Sequence, residues 1–155
     1  MLADYDARAI AEIMGIAPHP KLSGRTARAT PSTPATIEHA VEHGLPRAAL
    51  HSLAKRLAGD DPTRIARIEW GIVPRTTLER RQTRLSPEES ERTERAARLF
   101  VHARRALGTE DEARDFMTTP HPMLSGKTPL EAARTDLATR RTEHILNALE
   151  YGLAL

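Results

Sequence analysis

The sequence contains no cysteine, few aromatic residues and no long hydrophobic run. Without cysteine the 155-residue chain has no disulfide, no thiolate zinc site and no cysteine nucleophile. Aromatic residues make up 3 % of the chain, so the core has to be built from leucine, isoleucine and alanine, and alanine and leucine favour helices. No apolar stretch reaches the roughly 18 residues of a membrane span, and the first residues lack the basic and apolar regions of a secretory signal. We therefore expect a helical, cytoplasmic protein.

The small net charge of +2 conceals an uneven distribution along the chain. Residues 61–105 carry 11 basic and 7 acidic side chains, whereas residues 106–155 carry 5 basic and 8 acidic ones. All but three of the 23 basic residues are arginines, the residue type that binds phosphate in a bidentate manner. A basic middle and an acidic end indicate two surfaces with different partners.

Helix signals recur along the chain, and no alternating β-branched run appears, so the sequence predicts an all-α fold. Thr33, Ser86 and Thr128 each precede a proline, as at a capped helix start, and Thr109 with Glu112 repeats the capping box. Glycines 44, 59, 71 and 108 are typical helix ends. The predicted helices include residues 4–14, 46–58, 74–83, 87–107 and 136–150. The large apolar residues of the last helix are Leu137, Ile145, Leu146 and Leu149.

The chain divides into three predicted parts. Residues 17–34 hold four prolines and a single large apolar residue, Leu22, which is typical of a linker. We therefore expect an N-terminal helix and flexible linker over 1–34, a helix-turn-helix domain over 35–85 and a helical C-terminal domain over 86–155. The sequence leaves open whether the helix within residues 1–16 packs on the rest or forms a free arm.

Residues 61–84 have the organisation of a helix-turn-helix, because two short helices flank the segment Gly71-Ile72-Val73. This segment carries six arginines against three acidic residues, and in its second helix only Leu78 has to point inwards. One interpretation is DNA binding through phosphate and base-edge contacts. The other is a solvated helical hairpin whose arginines pair with the acidic residues of 88–94. The DNA-binding residues predicted by the first are Arg64, Arg75, Thr76, Thr77, Arg80, Arg81 and Arg84.

No set of residues indicates catalysis or a bound cofactor. His39 and His43 stand four residues apart on one helix, a spacing that can present two nitrogens to zinc. A third ligand at a recognisable spacing is missing, so a solvated helix face is expected and no metal site is predicted. Residues 125–128 are similar to the end of a phosphate loop but lack its upstream glycine. We expect a protein that is not an enzyme and holds no cofactor.

Several blocks of the second half resemble the Xre/MbcA/ParS-type antitoxins, the partners of RES-domain toxins in toxin–antitoxin pairs. The blocks are RTTLERR at 75–81, LSPEESER at 85–92, FMTTPHPMLSGKTPL at 116–130 and EHILNALEYG at 143–152. Three positions depart from the family pattern: Phe116 stands where tryptophan is usual, Ala138 where glycine is common, and Ala148 where arginine is common.

The resemblance implies an Xre-like helix-turn-helix domain followed by a small helical domain that binds a toxin. It implies that the C-terminal helix and tail block the active site of a RES toxin that hydrolyses NAD or transfers ADP-ribose from it. It also implies a homodimer within a toxin–antitoxin hetero-oligomer that binds operator DNA and represses its own operon. The toxin-binding residues implied are Arg140, Glu143, Asn147, Glu150, Tyr151, Gly152, Leu153, Ala154 and Leu155. The alternatives are a helix-turn-helix regulator without a toxin and a structural helical adaptor.

Overall fold

A computed structural model of the chain describes residues 5–16, 32–81 and 83–152. These residues are mostly helical and contain no strand, which confirms the expected all-α fold. None of the described helices is long and apolar enough to cross a membrane. The helices are α1 (Ala7–Ile13), α2 (Pro34–Glu42), α3 (Arg47–Ala58), α4 (Pro62–Ile72), α5 (Arg75–Arg80), α6 (Pro87–Leu107), α7 (Glu110–Thr118), a 3₁₀ helix (Pro122–Leu124), α8 (Pro129–Ala132) and α9 (Asp136–Tyr151).

The helix starts follow from local capping chemistry. Ser86 and Thr128 form capping boxes, in which the hydroxyl accepts the backbone N–H three residues on and the glutamate there accepts the cap N–H. At the start of α7 the arrangement differs from the predicted box. Thr109 accepts the N–H of Glu112, but the Glu112 carboxylate accepts the Thr109 hydroxyl (2.8 Å) instead of its backbone N–H.

Two helix ends in the basic segment differ from the sequence prediction. Helix α4 continues through Gly71 to Ile72, because Gly71 does not take the left-handed conformation that ends a helix. Helix α5 ends at Arg80, three residues before the predicted end. There the backbone of Arg81 becomes extended, and its carbonyl accepts a hydrogen bond from Arg47 Nη1 (3.0 Å). The chain after α5 is therefore held against the start of α3.

The central element is the 21-residue helix α6, which contacts α1, α2, α3, α4, α7 and α9. Leu99, Phe100 and Ala103 on this helix are completely buried. The main hydrophobic core runs from α1 to α9 and includes residues on both sides of position 85. A second, smaller cluster joins Leu124, Ala132 and Ile145 near the C-terminal helices. The three-part division of the chain stays a prediction.

Helix α1 packs against the centre of the molecule. Its buried residues include Ile10 and Ile13, and both belong to the main core. Just before it, the Tyr5 hydroxyl donates to Glu94 Oε1 (2.8 Å) on α6, and burial raises the pKa of the Glu94 carboxyl. The described part of the N-terminal segment is therefore a packed element. Residues 17–31, which hold most of the predicted linker, lie outside the described residues.

Candidate functional site

Helix α9 has one face buried against the rest of the molecule. Leu146 belongs to the main core, and Ile145 belongs to the smaller cluster. Thr139 and Thr142 are buried on the same side, and each hydroxyl donates to the carbonyl four residues back (2.7 and 3.0 Å). Both threonine hydroxyls have hydrogen-bond partners within the helix, so their burial leaves neither hydroxyl without a partner.

Charged side chains fasten the same helix to α6. Glu150 accepts two hydrogen bonds from Arg105 (2.7 and 3.1 Å) and lies 3.1 Å from His102 Nε2. The hydrogen bond from Arg105 lowers the pKa of the Glu150 carboxyl, and burial lowers the pKa of His102. Two helical turns before Glu150, Glu143 Oε1 lies 3.0 Å from Arg98 Nε, although the two atoms lack hydrogen-bond geometry. The last two turns of α9 are thus held in a defined position.

The outward face of α9 combines apolar and basic side chains. Leu137 is 73 % exposed and Tyr151 is 57 % exposed, and Arg140, Arg141 and His144 between them are exposed as well. Positions 137, 144 and 151 are seven residues apart, so they share one face of the helix. We call this set the outer face of α9. The outer face of α9 therefore offers apolar contacts at its two ends and basic side chains between them.

The predicted toxin-binding residues divide between the two faces of α9. Arg140, which pairs with Asp136 (2.9 Å), lies on the outer face with Tyr151, and Gly152 ends the helix in an exposed left-handed conformation. Glu143 and Glu150 instead pair with α6, and Asn147 is half-buried between the two sides. Leu153, Ala154 and Leu155 lie outside the described residues.

Sequence reasoning missed Leu137 as a surface residue. It counted this leucine among the apolar residues of the last helix, but only Ile145 and Leu146 of that group are buried. A helical wheel provides the missing signal, because Leu137 falls on the side opposite Leu146. Leu149 is also partly exposed and lies on neither the outer face nor the α6 side.

The predicted helix-turn-helix presents a second exposed surface, formed by α4 and α5. The Arg75 guanidinium lies 4.9 Å from the centre of the Trp70 ring and also pairs with Glu79 (2.8 Å). Arg64 and Arg80 are exposed on the same two helices. The sequence reasoning did not include Trp70. The feature in the sequence that could have revealed Trp70 is a single tryptophan on a predicted helix with arginines, in a chain with few aromatic residues.

The other predicted DNA-binding residues are Arg81, Arg84, Thr76 and Thr77. The two arginines make contacts within the fold. Arg81 donates to both carboxylate oxygens of Glu89 (2.9–3.2 Å), and Arg84 Nη1 donates to the carbonyl of Gly44 (2.8 Å). The pairing of arginines with the acids of 88–94, the alternative interpretation, thus applies to Arg81. In α5, Thr76 is exposed and Thr77 is half-buried.

A proline-rich loop leads from α7 to the short helix α8 before α9 begins. His121 accepts the N–H of Met123 through Nδ1 (3.1 Å), which starts the 3₁₀ helix of the loop. The ring of Phe116 meets His121 edge-on at 6.2 Å and packs against both hydrophobic clusters. Beyond the loop, Arg134 Nε donates to the carbonyl of Gly71 (2.9 Å), so the segment before α9 is joined to α4.

Comparison with known families identifies this part of the molecule. Residues 94–152 match the family model of the antitoxin Xre/MbcA/ParS C-terminal toxin-binding domain. Residues 94–152 form the toxin-binding domain of an Xre/MbcA/ParS-type antitoxin. The match runs from the middle of α6 to the glycine that ends α9 and confirms the family expected from the sequence. No curated protein matches the chain.

The match places the outer face of α9 inside the toxin-binding domain of the antitoxin. The presence of that domain means that the partner is a toxin. Antitoxins of this family are in general not enzymes. The helices α1 to α5, with the predicted helix-turn-helix, lie before the matched segment.

Proposed function

We propose that this antitoxin neutralises a RES-type toxin by docking the outer face of α9 on it. The observation that carries the proposal is the exposure of Leu137 and Tyr151 on one face of a helix that the toxin-binding domain includes. They are fourteen positions apart, or about 21 Å along the helix axis. The toxin is an enzyme that hydrolyses NAD or transfers ADP-ribose, as the family resemblance implies.

The side chains of the outer face of α9 indicate what kind of toxin surface would complement it. Tyrosine and arginine contribute most often to binding hot spots, and Tyr151 lies on one face with Arg140 and His144. The opposing surface therefore needs two apolar pockets with acidic groups between them. Because Glu143 and Glu150 hold the helix on α6, the antitoxin presents this face without rearranging it.

The proposal includes the tail that follows the helix. Gly152 has φ 64° and ψ 31°, a left-handed conformation that ends α9. We propose that Leu153, Ala154 and Leu155 enter the active-site cleft of the toxin and exclude its substrate. Inhibition by occlusion requires no catalytic group in the antitoxin.

The surface of the antitoxin agrees with a binding role. A groove of about 340 Å³ beside α3 and α4 holds His51 hydrogen-bonded to Glu69 (2.8 Å), next to Lys55 and Asp60. The described residues that line it include no serine, threonine or tyrosine hydroxyl that this histidine could activate as a nucleophile. We propose that the protein acts by binding its partner, as the toxin-binding domain implies.

The test is co-purification of the antitoxin with a RES-type toxin, followed by affinity measurement and an NAD-consumption assay. Tyr151→Ala and Leu137→Ala are each expected to weaken toxin binding about tenfold or more, as for truncation of a hot-spot side chain. The matched control is Trp70→Ala, which removes an exposed aromatic side chain outside the matched segment. A chain that ends at Gly152 is expected to bind the toxin but allow NAD loss.

Unchanged affinity in both α9 variants would show that the toxin binds elsewhere. Full inhibition by the chain that ends at Gly152 would contradict occlusion by the tail. If the antitoxin is purified without any partner and still binds DNA, it acts as a regulator without a toxin.

We also propose that the antitoxin, as a homodimer within the toxin complex, binds operator DNA through α4 and α5 and represses its own operon. The observation that favours this is the exposure of Arg64, Arg75 and Arg80 on these two helices, since arginine side chains contact DNA phosphates. Replacing Arg75 and Arg80 by alanine should weaken binding and lower its salt dependence by about one to two phosphate contacts. The matched control is the double replacement of Arg140 and Arg141, which removes the same charge from α9. Equal DNA affinity of all three proteins would exclude α5 from the interface.

A further inference from the structure

A cluster of three potential metal ligands lies at the C-terminal end of α2, a helix that belongs to neither proposed surface. Its members are His39, Glu42 and His43, and one ligand atom from each lies within 4.8 Å of the others. All three side chains are exposed. Sequence reasoning considered only the two histidines. Glu42 supplies the third ligand because positions i, i+3 and i+4 share one face of a helix.

A hydrogen bond prepares one histidine for metal binding. His43 Nδ1 lies 2.8 Å from the carbonyl oxygen of His39, and a carbonyl only accepts, so this nitrogen carries the proton. In the neutral ring Nε2 therefore has the free lone pair that a metal needs. Histidine ligands generally donate their other ring N–H to a carbonyl or carboxylate in this way.

The remaining two ligands are available. The imidazole rings of His39 and His43 lie side by side, with their centres 4.0 Å apart. Among the described residues, no hydrogen bond or ion pair occupies the ring nitrogens of His39 or the carboxylate of Glu42. Donor atoms around a tetrahedral zinc ion are about 3.3 Å apart, as its bond lengths of about 2.0–2.1 Å require. Small rotations of exposed side chains bring the three ligands to that distance.

The backbone of α2 adds to the attraction for a cation. His43 is the residue that caps the helix, so all three side chains lie in its last turn, where the helix dipole is negative. Ile37 and Val41 hold the opposite face of α2 in the main core, so the ligands project from a fixed helix.

We propose that His39, Glu42 and His43 bind a divalent transition-metal ion of the zinc type. Two imidazoles and a carboxylate suit zinc, nickel and copper rather than magnesium or calcium. Water completes the coordination, and the exposed position keeps the ion exchangeable. The bound ion links three side chains of one helical turn and stabilises the end of α2, next to the turn at Gly44 that Arg84 holds.

The experiment uses the full chain without a histidine tag and stripped of metal. Zinc chloride is titrated into the protein by calorimetry, and cobalt binding is followed by its visible absorption bands. One equivalent of zinc is expected. Because loss of even an outer-shell partner weakens metal binding about 10–100-fold, His39→Ala and His43→Ala should each weaken it about tenfold or more. Glu42→Gln should weaken it as well, without changing the folded state in circular dichroism.

The matched control is His144→Ala, which removes an exposed histidine from α9 and should leave zinc binding unchanged. A wild-type chain that gives no more heat than the double variant of His39 and His43 overturns the proposal. Unchanged affinity in Glu42→Gln overturns the assignment of the third ligand. These readouts do not depend on a toxin or on DNA, so they are independent of the proposed function.

Discussion

The attachment of α9 to the core can be tested with two leucines of the same helix. Leu146 is 0 % exposed and is the only described α9 residue in the main core, whereas Leu149, three positions on, is 45 % exposed. Replacing either by alanine removes the same three carbon atoms from the same helix. The comparison therefore isolates the effect of burial from helix propensity and from the chemistry of the substitution.

The magnitudes follow from the buried surface. Three buried carbon atoms contribute about 2.4 kcal/mol at ~0.8 kcal/mol each, and the cavity left behind raises the cost of Leu146→Ala to about 3–4 kcal/mol. Leu149 is about half covered and has room to relax, so Leu149→Ala should cost about 1 kcal/mol. For a chain of this length, 1 kcal/mol corresponds to roughly 3 °C in Tm. The expected decreases in Tm are therefore about 10 °C and about 3 °C.

The assay is urea unfolding followed by far-ultraviolet circular dichroism, which reports helix content directly in an all-α protein. Equal slopes of the unfolding transitions are needed for the two free energies to be compared. A difference of less than about 1 kcal/mol between the two variants would refute the reasoning, because it would mean that α9 does not depend on the main core.

Two further predictions concern other parts of the fold. Gly44 has φ 84°, and a Cβ at this position would lie 2.4 Å from the backbone oxygen of Leu85, so Gly44→Ala should cost about 2 kcal/mol or more in urea unfolding. Gly108→Ala is the control with similar φ (96°) and no neighbouring atom within 4 Å, and an equal cost there would show that the Leu85 carbonyl moves away from the new Cβ. Hydrogen bonds from arginines lower the pKa of the Glu110 and Glu150 carboxyls. The stability that these two ionised carboxylates give the folded state is therefore complete above the usual carboxyl pKa of about 4.3, and it is lost as the pH falls through the lowered pKa values. Glu150→Gln should therefore reduce the loss of stability between about pH 5 and pH 2, and an unchanged acid profile would contradict the assignment.

The sequence alone determined where most helices begin and end. The capping boxes at Ser86 and Thr128, the proline after each and the glycine at 108 are signals between residues at most a few positions apart. Such contacts form wherever the segment is placed, so they can be read without the fold. The family was also readable, because the blocks at 116–130 and 143–152 fall within the matched domain.

Side chains with partners far along the chain were beyond sequence reasoning. Glu150 on α9 accepts a hydrogen bond from Arg105 on α6, which is 45 residues away in the sequence. Glu94 accepts one from Tyr5, which is 89 residues away. For Arg81, eight residues from Glu89, the sequence left both DNA contact and pairing with the acidic residues of 88–94 open, and the fold shows the pairing with Glu89. In each case the charge was visible in the sequence, whereas the direction of the side chain was not.

The outer face of α9 shows the same division between sequence and tertiary structure. The composition and periodicity of residues 136–151 were enough to predict an amphipathic helix. Which of its apolar residues are covered depends on where α6 and the proline-rich loop lie, and this left Leu137 and Tyr151 exposed while burying Leu146. Local hydrogen bonding is encoded by near neighbours, but burial is a property of the packed chain, so only the tertiary structure decided which face of α9 is exposed.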